Sequence, residues 1–308
     1  MIELFARSPG MREAARLAER VSSTDANVLI TGESGAGKDL LATFIHSQSR
    51  RAQHPFVKID CATLPGELLE AELFGYERGA FTGAVEAKAG RFEAADKGTV
   101  VLDEIAHLST DAQAKLLRVI ERREFERLGG RRTIKLDARV IALTNVDLDE
   151  AVKTGRFRED LFYRLNVLNI RVPPLRERKD DLSQLIEHFL THYSAKHGRD
   201  VHRLSPEARA VLKAYDYPGN ARELANVIER AVIVANGKRV EAMDLPAGLS
   251  AAVSAQERKA KPQSLAQVEA DYIAATLVAT GGNKAECARI LGISRKNLYE
   301  KIARYRLK

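Results

Sequence analysis

The segment Gly32-Glu33-Ser34-Gly35-Ala36-Gly37-Lys38-Asp39 has the composition of a phosphate cradle. It stands between an apolar run at 28–31 and a helical pattern carried by Leu40, Leu41, Phe44 and Ile45. Glycines let backbone amides turn inward around phosphate oxygens, and the helix that follows adds the positive end of its dipole. The Lys38 ammonium supplies a point charge for the β and γ phosphates of ATP. Asp39 departs from the generic pattern, in which a Ser or Thr hydroxyl reaches Mg²⁺. A second apolar run, Val100-Val101-Leu102, ends in Asp103-Glu104. Carboxylates at the C-terminal edge of a buried strand lie where an α/β sheet places ligand chemistry. Asp103 is therefore predicted to hold Mg²⁺, and Glu104 to orient and deprotonate an attacking water. Another run ends in Thr144-Asn145, polar groups placed either to sense a γ-phosphate or simply to make a turn.

These groups need a scaffold, and the sequence supplies one. Short apolar runs rich in β-branched residues, at 28–31, 56–60, 99–103, 139–145 and 167–172, alternate with helical patterns. That rhythm predicts an α/β fold with a parallel sheet covered by helices on both faces, occupying residues 1–172. Pro173 and Pro174 end the strand pattern, and 173–249 is predicted to form a helical lid, with helices near 182–197 and 221–236. Residues 250–264 have linker composition. A last helical block occupies 265–308.

Composition narrows the class further. The 308 residues include 49 Lys and Arg against 42 Asp and Glu, a formal net charge of +7. From residue 251 onward there are eleven Lys and Arg against five acids, an excess of six, whereas the first 250 residues hold 38 against 37. A basic tail on a nearly neutral body predicts contact with nucleic acid. Charges run through the first twenty residues and no apolar run approaches membrane-spanning length, so a cytoplasmic protein without membrane contact is expected. Cys61 and Cys287 stand far apart without metal-ligand spacing, which predicts two buried thiols in a reducing compartment.

Between the two phosphate motifs lies Glu72-Leu73-Phe74-Gly75-Tyr76-Glu77-Arg78-Gly79-Ala80-Phe81-Thr82-Gly83-Ala84. A phenylalanine flanked by glycine and alanine cannot bury itself in its own segment. Phe81 is thus either presented to a partner on a mobile loop or packed back on the body. Here the chain resembles the sigma-54-dependent activators of the AAA+ ATPase superfamily, for which Gly79-Ala80-Phe81-Thr82-Gly83-Ala84 is a specific signature. The resemblance runs from Leu4 to Lys308. It implies a P-loop ATPase with a five-stranded sheet and a helical lid, and a ring, most commonly a hexamer. In such a ring residues 79–84 would engage sigma-54 RNA polymerase holoenzyme and drive the closed promoter complex open with ATP and Mg²⁺.

Further assignments follow from that resemblance. Phe157-Arg158-Glu159-Asp160-Leu161-Phe162-Tyr163-Arg164-Leu165 is similar to the segment whose two arginines, here Arg158 and Arg164, reach the nucleotide of a neighbouring subunit. Pro218-Gly219-Asn220-Ala221-Arg222-Glu223-Leu224 resembles the motif that places an arginine, here Arg222, on the nucleotide, with Tyr217 where tryptophan is common. Asn220 is expected to cap the helix that follows. Residues 127–135 resemble a second pore loop. Asp39 stands where the family usually has glutamate. Asp60 stands where it commonly has an asparagine that restrains the catalytic glutamate, and a carboxylate there would repel Glu104 or share a proton with it.

In the tail, Asn283 is placed to cap a helix that stops at Gly292, and Ser294 to cap a second one. Leu298, Ile302 and Tyr305 share a face of that helix, while Arg295, Lys296, Asn297, Lys301 and Arg304 lie elsewhere on it. This pattern predicts a helix-turn-helix bound to double-stranded DNA, and it resembles a Fis-type module. Leu265, Val268 and Tyr272 form an apolar stripe suited to pairing two copies. The competing function is a DNA-binding repressor whose ATPase serves only ATP-dependent oligomerisation; intact Phe81, Thr82 and both arginines argue for the activator. The ATPase pattern begins at residue 4, so the controlling signal is expected from a separate protein or from a segment upstream of Met1.

Overall fold

Strands β1 (Val28–Thr31), β2 (Phe56–Asp60), β3 (Thr99–Asp103), β4 (Arg139–Thr144) and β5 (Leu168–Arg171) pair in parallel in the order β2-β3-β4-β1-β5. The computed structural model describes residues 5–249 and 264–307, so the linker expected at 250–264 lies, apart from Ser264, outside the described residues. The chain divides into two compact units, Met1–Leu249 and Ser250–Lys308.

Every residue of β4 is buried, as a strand covered on both faces must be. Side chains alternate between the faces. Val28, Ile30, Val101, Ile141 and Leu143 pack under helices α1 (Pro9–Ser22) and α2 (Lys38–Ser47). Leu29, Val100, Leu102, Val140 and Ala142 pack on the other face against α3 (Gly66–Phe74), α4 (Thr110–Arg122) and α5 (Glu159–Leu165). The register sets Asp60 beside Asp103 and Thr31 beside Thr144, so the polar strand ends gather on one edge of the sheet.

The lid is built from α6 (Lys179–Lys196), α7 (Pro206–Ala214) and α8 (Asn220–Val234) around a separate core that includes Leu185, Leu212, Leu224 and Ile228. It is not purely helical. Arg203–Leu204 and Arg239–Val240 pair as a short parallel ladder that satisfies backbone groups where the chain passes beneath α7 and α8. Buried Asp181 fastens the lid to the start of α1, accepting hydrogen bonds from Ser8 N at 2.8 Å and Ser8 Oγ at 2.7 Å.

The second unit comprises α9 (Leu265–Ala279), α10 (Lys284–Ile290) and α11 (Arg295–Tyr305). Ile273, Leu277, Cys287, Ala288 and Leu298 form its core, with Ile302 and Tyr305 packed against them. Asn283 Oδ1 accepts from Ala285 N and Glu286 N, Ser294 Oγ accepts from Asn297 N, and Gly292 takes a left-handed φ of +66° between the two helices. Both cysteines are buried free thiols. Among the described residues, no helix is long and apolar enough to cross a membrane.

Candidate nucleotide-binding site

The loop between β1 and α2 requires its glycines. A Cβ on Gly32 would lie 2.6 Å from Val172 O, and one on Gly35, at φ +73°, would lie 2.5 Å from Gly219 O. Gly37 begins α2 at φ +104°, and no side chain caps the helix's first amides, which leaves an anion cradle with the helix dipole behind it. The Lys38 side chain is buried along the loop, with Nζ 2.8 Å from Gly32 O and 3.3 Å from Glu33 O. Burial lowers its pKa, and the nearby carboxylates of Glu104, Asp103 and Asp39 oppose that shift.

Asp103 ends β3 with its side chain largely covered, and Asp39 lies in the first turn of α2. Both carboxylates contact one ammonium, that of Lys58 on β2, a residue that sequence reasoning missed. Among the described residues no cluster of three or more His, Cys, Asp or Glu forms a metal cage. One or two carboxylates completed by phosphate oxygens is the donor set that suits Mg²⁺, so these residues fit the cation. Glu104 takes a left-handed φ of +52°, strained for a residue with a side chain, and its Oε2 accepts from Asn145 N at 3.3 Å. Asp60, expected to face Glu104, makes a local contact. Its Oδ1 accepts from Ala62 N at 2.9 Å, a local Asx turn.

The lid closes the other side. A cleft of about 700 Å³ is lined by Glu33, Ser34, Asn145, Pro218, Gly219 and Arg222, among others. Arg222 Nη1 donates to Ser34 Oγ at 2.9 Å, and Ala221 N to Gly35 O at 3.0 Å. Asn220 does not cap α8, since its φ of +55° is far from the extended backbone a cap requires. Its buried amide accepts from Leu175 N and donates to Glu33 Oε2 and Ser34 O. Arg176 makes a bidentate pair with Glu33, and that bond, followed by the one from Asn220, holds the Glu33 pKa down at about 2. Buried Arg178 donates to Ala36 O at 2.5 Å. Arg176 and Arg178 carry no recognisable motif of their own, and proximity to the double proline was the only available signal.

Arg158 and Arg164 are not among the residues lining this cleft. Arg158 pairs with Asp160 and Arg164 with Glu121, both in exposed ion pairs that a better anion can displace. Buried Gln113 positions the segment: its Oε1 accepts from Arg158 N, and its Nε2 donates to Leu108 O and Arg156 O. The loop at 79–84 is a closed turn, with Gly79 N donating to Ala84 O at 2.8 Å. Phe81 is 39% exposed and packs edge-on against Tyr76 at 5.0 Å, so it rests partly on the body, while Thr82 is exposed. Gly129, within 127–135, packs against the same loop: a Cβ there would lie 2.9 Å from that of Ala80.

On the second unit, Arg295, Lys296, Asn297 and Arg304 are exposed. Lys301, expected among them, is turned onto Glu269 of α9 at 2.6 Å, with only 21% of its side chain exposed. Val268 and Tyr272 are exposed on α9.

Comparison with known proteins agrees with this geometry. The profile of the "Sigma-54 interaction domain" matches residues 4–171, that of the "AAA+ ATPase lid domain" matches 176–262, and that of the "Bacterial regulatory protein, Fis family" matches 264–305. Regulatory protein AtoC of Escherichia coli (strain K12) is 47% identical over 310 residues, covering 98% of this chain and 67% of that protein. Transcriptional regulatory protein ZraR of Salmonella typhimurium is 46% identical over 301 residues, covering 98% of this chain and 68% of its own length. The crystal structure of NtrX from Brucella abortus in complex with ATP superposes with a TM-score of 0.77 at 37% identity, over 99% of this chain and 70% of that one.

Proposed function

We propose that this chain, which belongs to the family of sigma-54-dependent transcriptional activators, is a mechanochemical ATPase that holds DNA with its C-terminal unit and remodels sigma-54 RNA polymerase through residues 79–84. The observation that carries the reading is the junction of lid and phosphate loop. Asn220 and Arg222 of α8 bond Glu33 and Ser34 beside buried Lys38, while Asp103 and Glu104 emerge from the sheet edge. A nucleotide in that cleft touches both subdomains, so hydrolysis changes their relation.

Glu104 takes the proton of the attacking water and Lys38 neutralises phosphate charge, while Arg222 and Asn145 register the γ-phosphate. Asp103 would hold Mg²⁺, which would supply further neutralisation of phosphate charge. Arg158 and Arg164 act on the nucleotide of the next subunit in a ring, a hexamer by family resemblance. Their absence from the lining of the chain's own cleft and the weakness of their exposed ion pairs support that role. No covalent intermediate is needed. Phe81 and Thr82 transmit the lid motion to sigma-54, and release of Phe81 from Tyr76 is part of that stroke. Arg295, Lys296, Asn297 and Arg304 contact double-stranded DNA, with two copies paired through α9.

The test combines the protein with ATP, sigma-54 polymerase and promoter DNA and reads melted DNA by permanganate reactivity. Wild type is expected to open the promoter, Lys38→Ala to lose hydrolysis and opening together, and Thr82→Ala to hydrolyse without opening. Normal opening by Thr82→Ala would sink the role of the loop.

A further inference from the structure

Lys58 occupies the middle of edge strand β2, and its Nζ lies 2.5 Å from Asp39 Oδ1 and 2.8 Å from Asp103 Oδ2. The two carboxylates come from different elements, the first turn of α2 and the end of β3, and one ammonium gathers both. Without that ammonium two anions would face each other at the rim of the phosphate loop, where repulsion is stronger than in open water.

We propose that Lys58 is a positioning residue that acts as a built-in counter-cation. It holds Asp39 and Asp103 together in the nucleotide-free protein and competes with a divalent cation for the same oxygens. The inference rests on the reading of Asp103 as the metal ligand. An ammonium and a divalent cation on one carboxylate pair repel each other and compete for the same negative charge. The lysine stem is flexible and the side chain is 38% exposed, so the ammonium can swing out when a stronger cation arrives. Free cation brings only water as further ligands. Cation delivered with a nucleotide brings phosphate oxygens, and these tip the competition. Lys58 thereby makes metal binding conditional on nucleotide binding.

The experiment titrates Mn²⁺, read by electron paramagnetic resonance, into the nucleotide-free full chain. Lys58→Met is expected to bind Mn²⁺ about tenfold more tightly than wild type, because the carboxylates have lost their competitor. It should also melt lower in metal-free buffer and recover on addition of Mn²⁺ or Mg²⁺. Lys58→Arg should keep the wild-type pattern, and Lys58→Gln, polar and uncharged, replaces the Met variant if that fails to fold. Equal Mn²⁺ affinity with and without the Lys58 charge, or a gain that persists when Asp103→Asn is added, overturns the inference. If Asp103→Asn in the wild-type background leaves Mn²⁺ affinity in the presence of ADP unchanged, the reading of Asp103 itself fails, whatever Lys58 does.

Discussion

Asn220, at the head of the lid's long helix, donates through Nδ2 to the Glu33 carboxylate at 3.0 Å. Its Oδ1 accepts from Leu175 N at 2.7 Å, so one buried side chain joins the segment after the double proline, the lid and the phosphate loop. Asn220→Ala strands the Leu175 amide and is expected to cost about 1–3 kcal/mol of stability. Urea unfolding checks that loss, and a parallel ADP titration should show weaker binding. Unchanged stability would mean that the lid is held by other contacts.

Glu33 has an ordinary pKa of 4.5 and is held at about 2, chiefly by Arg176 and then by Asn220. A lowered carboxylate pKa means that its contribution is fully present above 4.5 and fades as pH falls toward about 2. The stability difference between wild type and Glu33→Gln should therefore be flat at neutral pH and narrow below 4.5, read by urea unfolding across a pH series.

Arg158 and Arg164 make only exposed ion pairs within the chain, so Arg158→Ala and Arg164→Ala should melt with wild type. Turnover should nevertheless fall by about 10³ or more for each. Mixing either variant with Glu104→Gln protein restores part of the activity if the arginines act across the subunit boundary, because some interfaces then combine an intact base with an intact arginine. No recovery in the mixture would assign them to their own subunit's nucleotide.

Asp60→Asn preserves the oxygen that accepts from Ala62 N and removes only the charge. Stability should change by less than about 0.5 kcal/mol. The number of ATP molecules hydrolysed per promoter opened is expected to shift, since an amide at this position can donate to Glu104 and a carboxylate cannot. An unchanged ratio dismisses Asp60 as a coupling residue.

The two cations Arg295 and Lys301 should separate cleanly. Arg295→Ala is expected to weaken DNA binding and reduce the slope of log affinity against log salt by about one. Lys301→Ala should leave that slope alone and instead lower the melting temperature, because Glu269 keeps the Tyr305 hydroxyl but loses its ammonium partner. Affinity titrations at several salt concentrations decide between the two patterns.

The sheet was legible because its strands are buried on both faces and appear as continuous apolar runs. Three of the expected strands coincide with β1, β2 and β3 residue for residue, and the other two end within a residue or so of β4 and β5. The phosphate loop and the Asp103-Glu104 pair were legible for a related reason: their chemistry is carried by neighbours in sequence. Asn220 was not. The local rule made it a helix cap, but a partner 187 residues away turned its amide to the phosphate loop. Lys301 had the signature of a DNA contact until Glu269, 32 residues upstream, was brought beside it.

The amino-acid sequence by itself determined which segments form the sheet, which loop can cradle phosphate and where the positive charge collects, because each depends on short-range periodicity or adjacency. Only the tertiary structure decided that Lys58 bridges Asp39 and Asp103, that Gln113 locks the Arg158 segment, and that Asp60 accepts a hydrogen bond from its own loop. The physical reason is that a charged or amide side chain takes the best partner within a few ångströms, and that choice exists only once distant elements have packed.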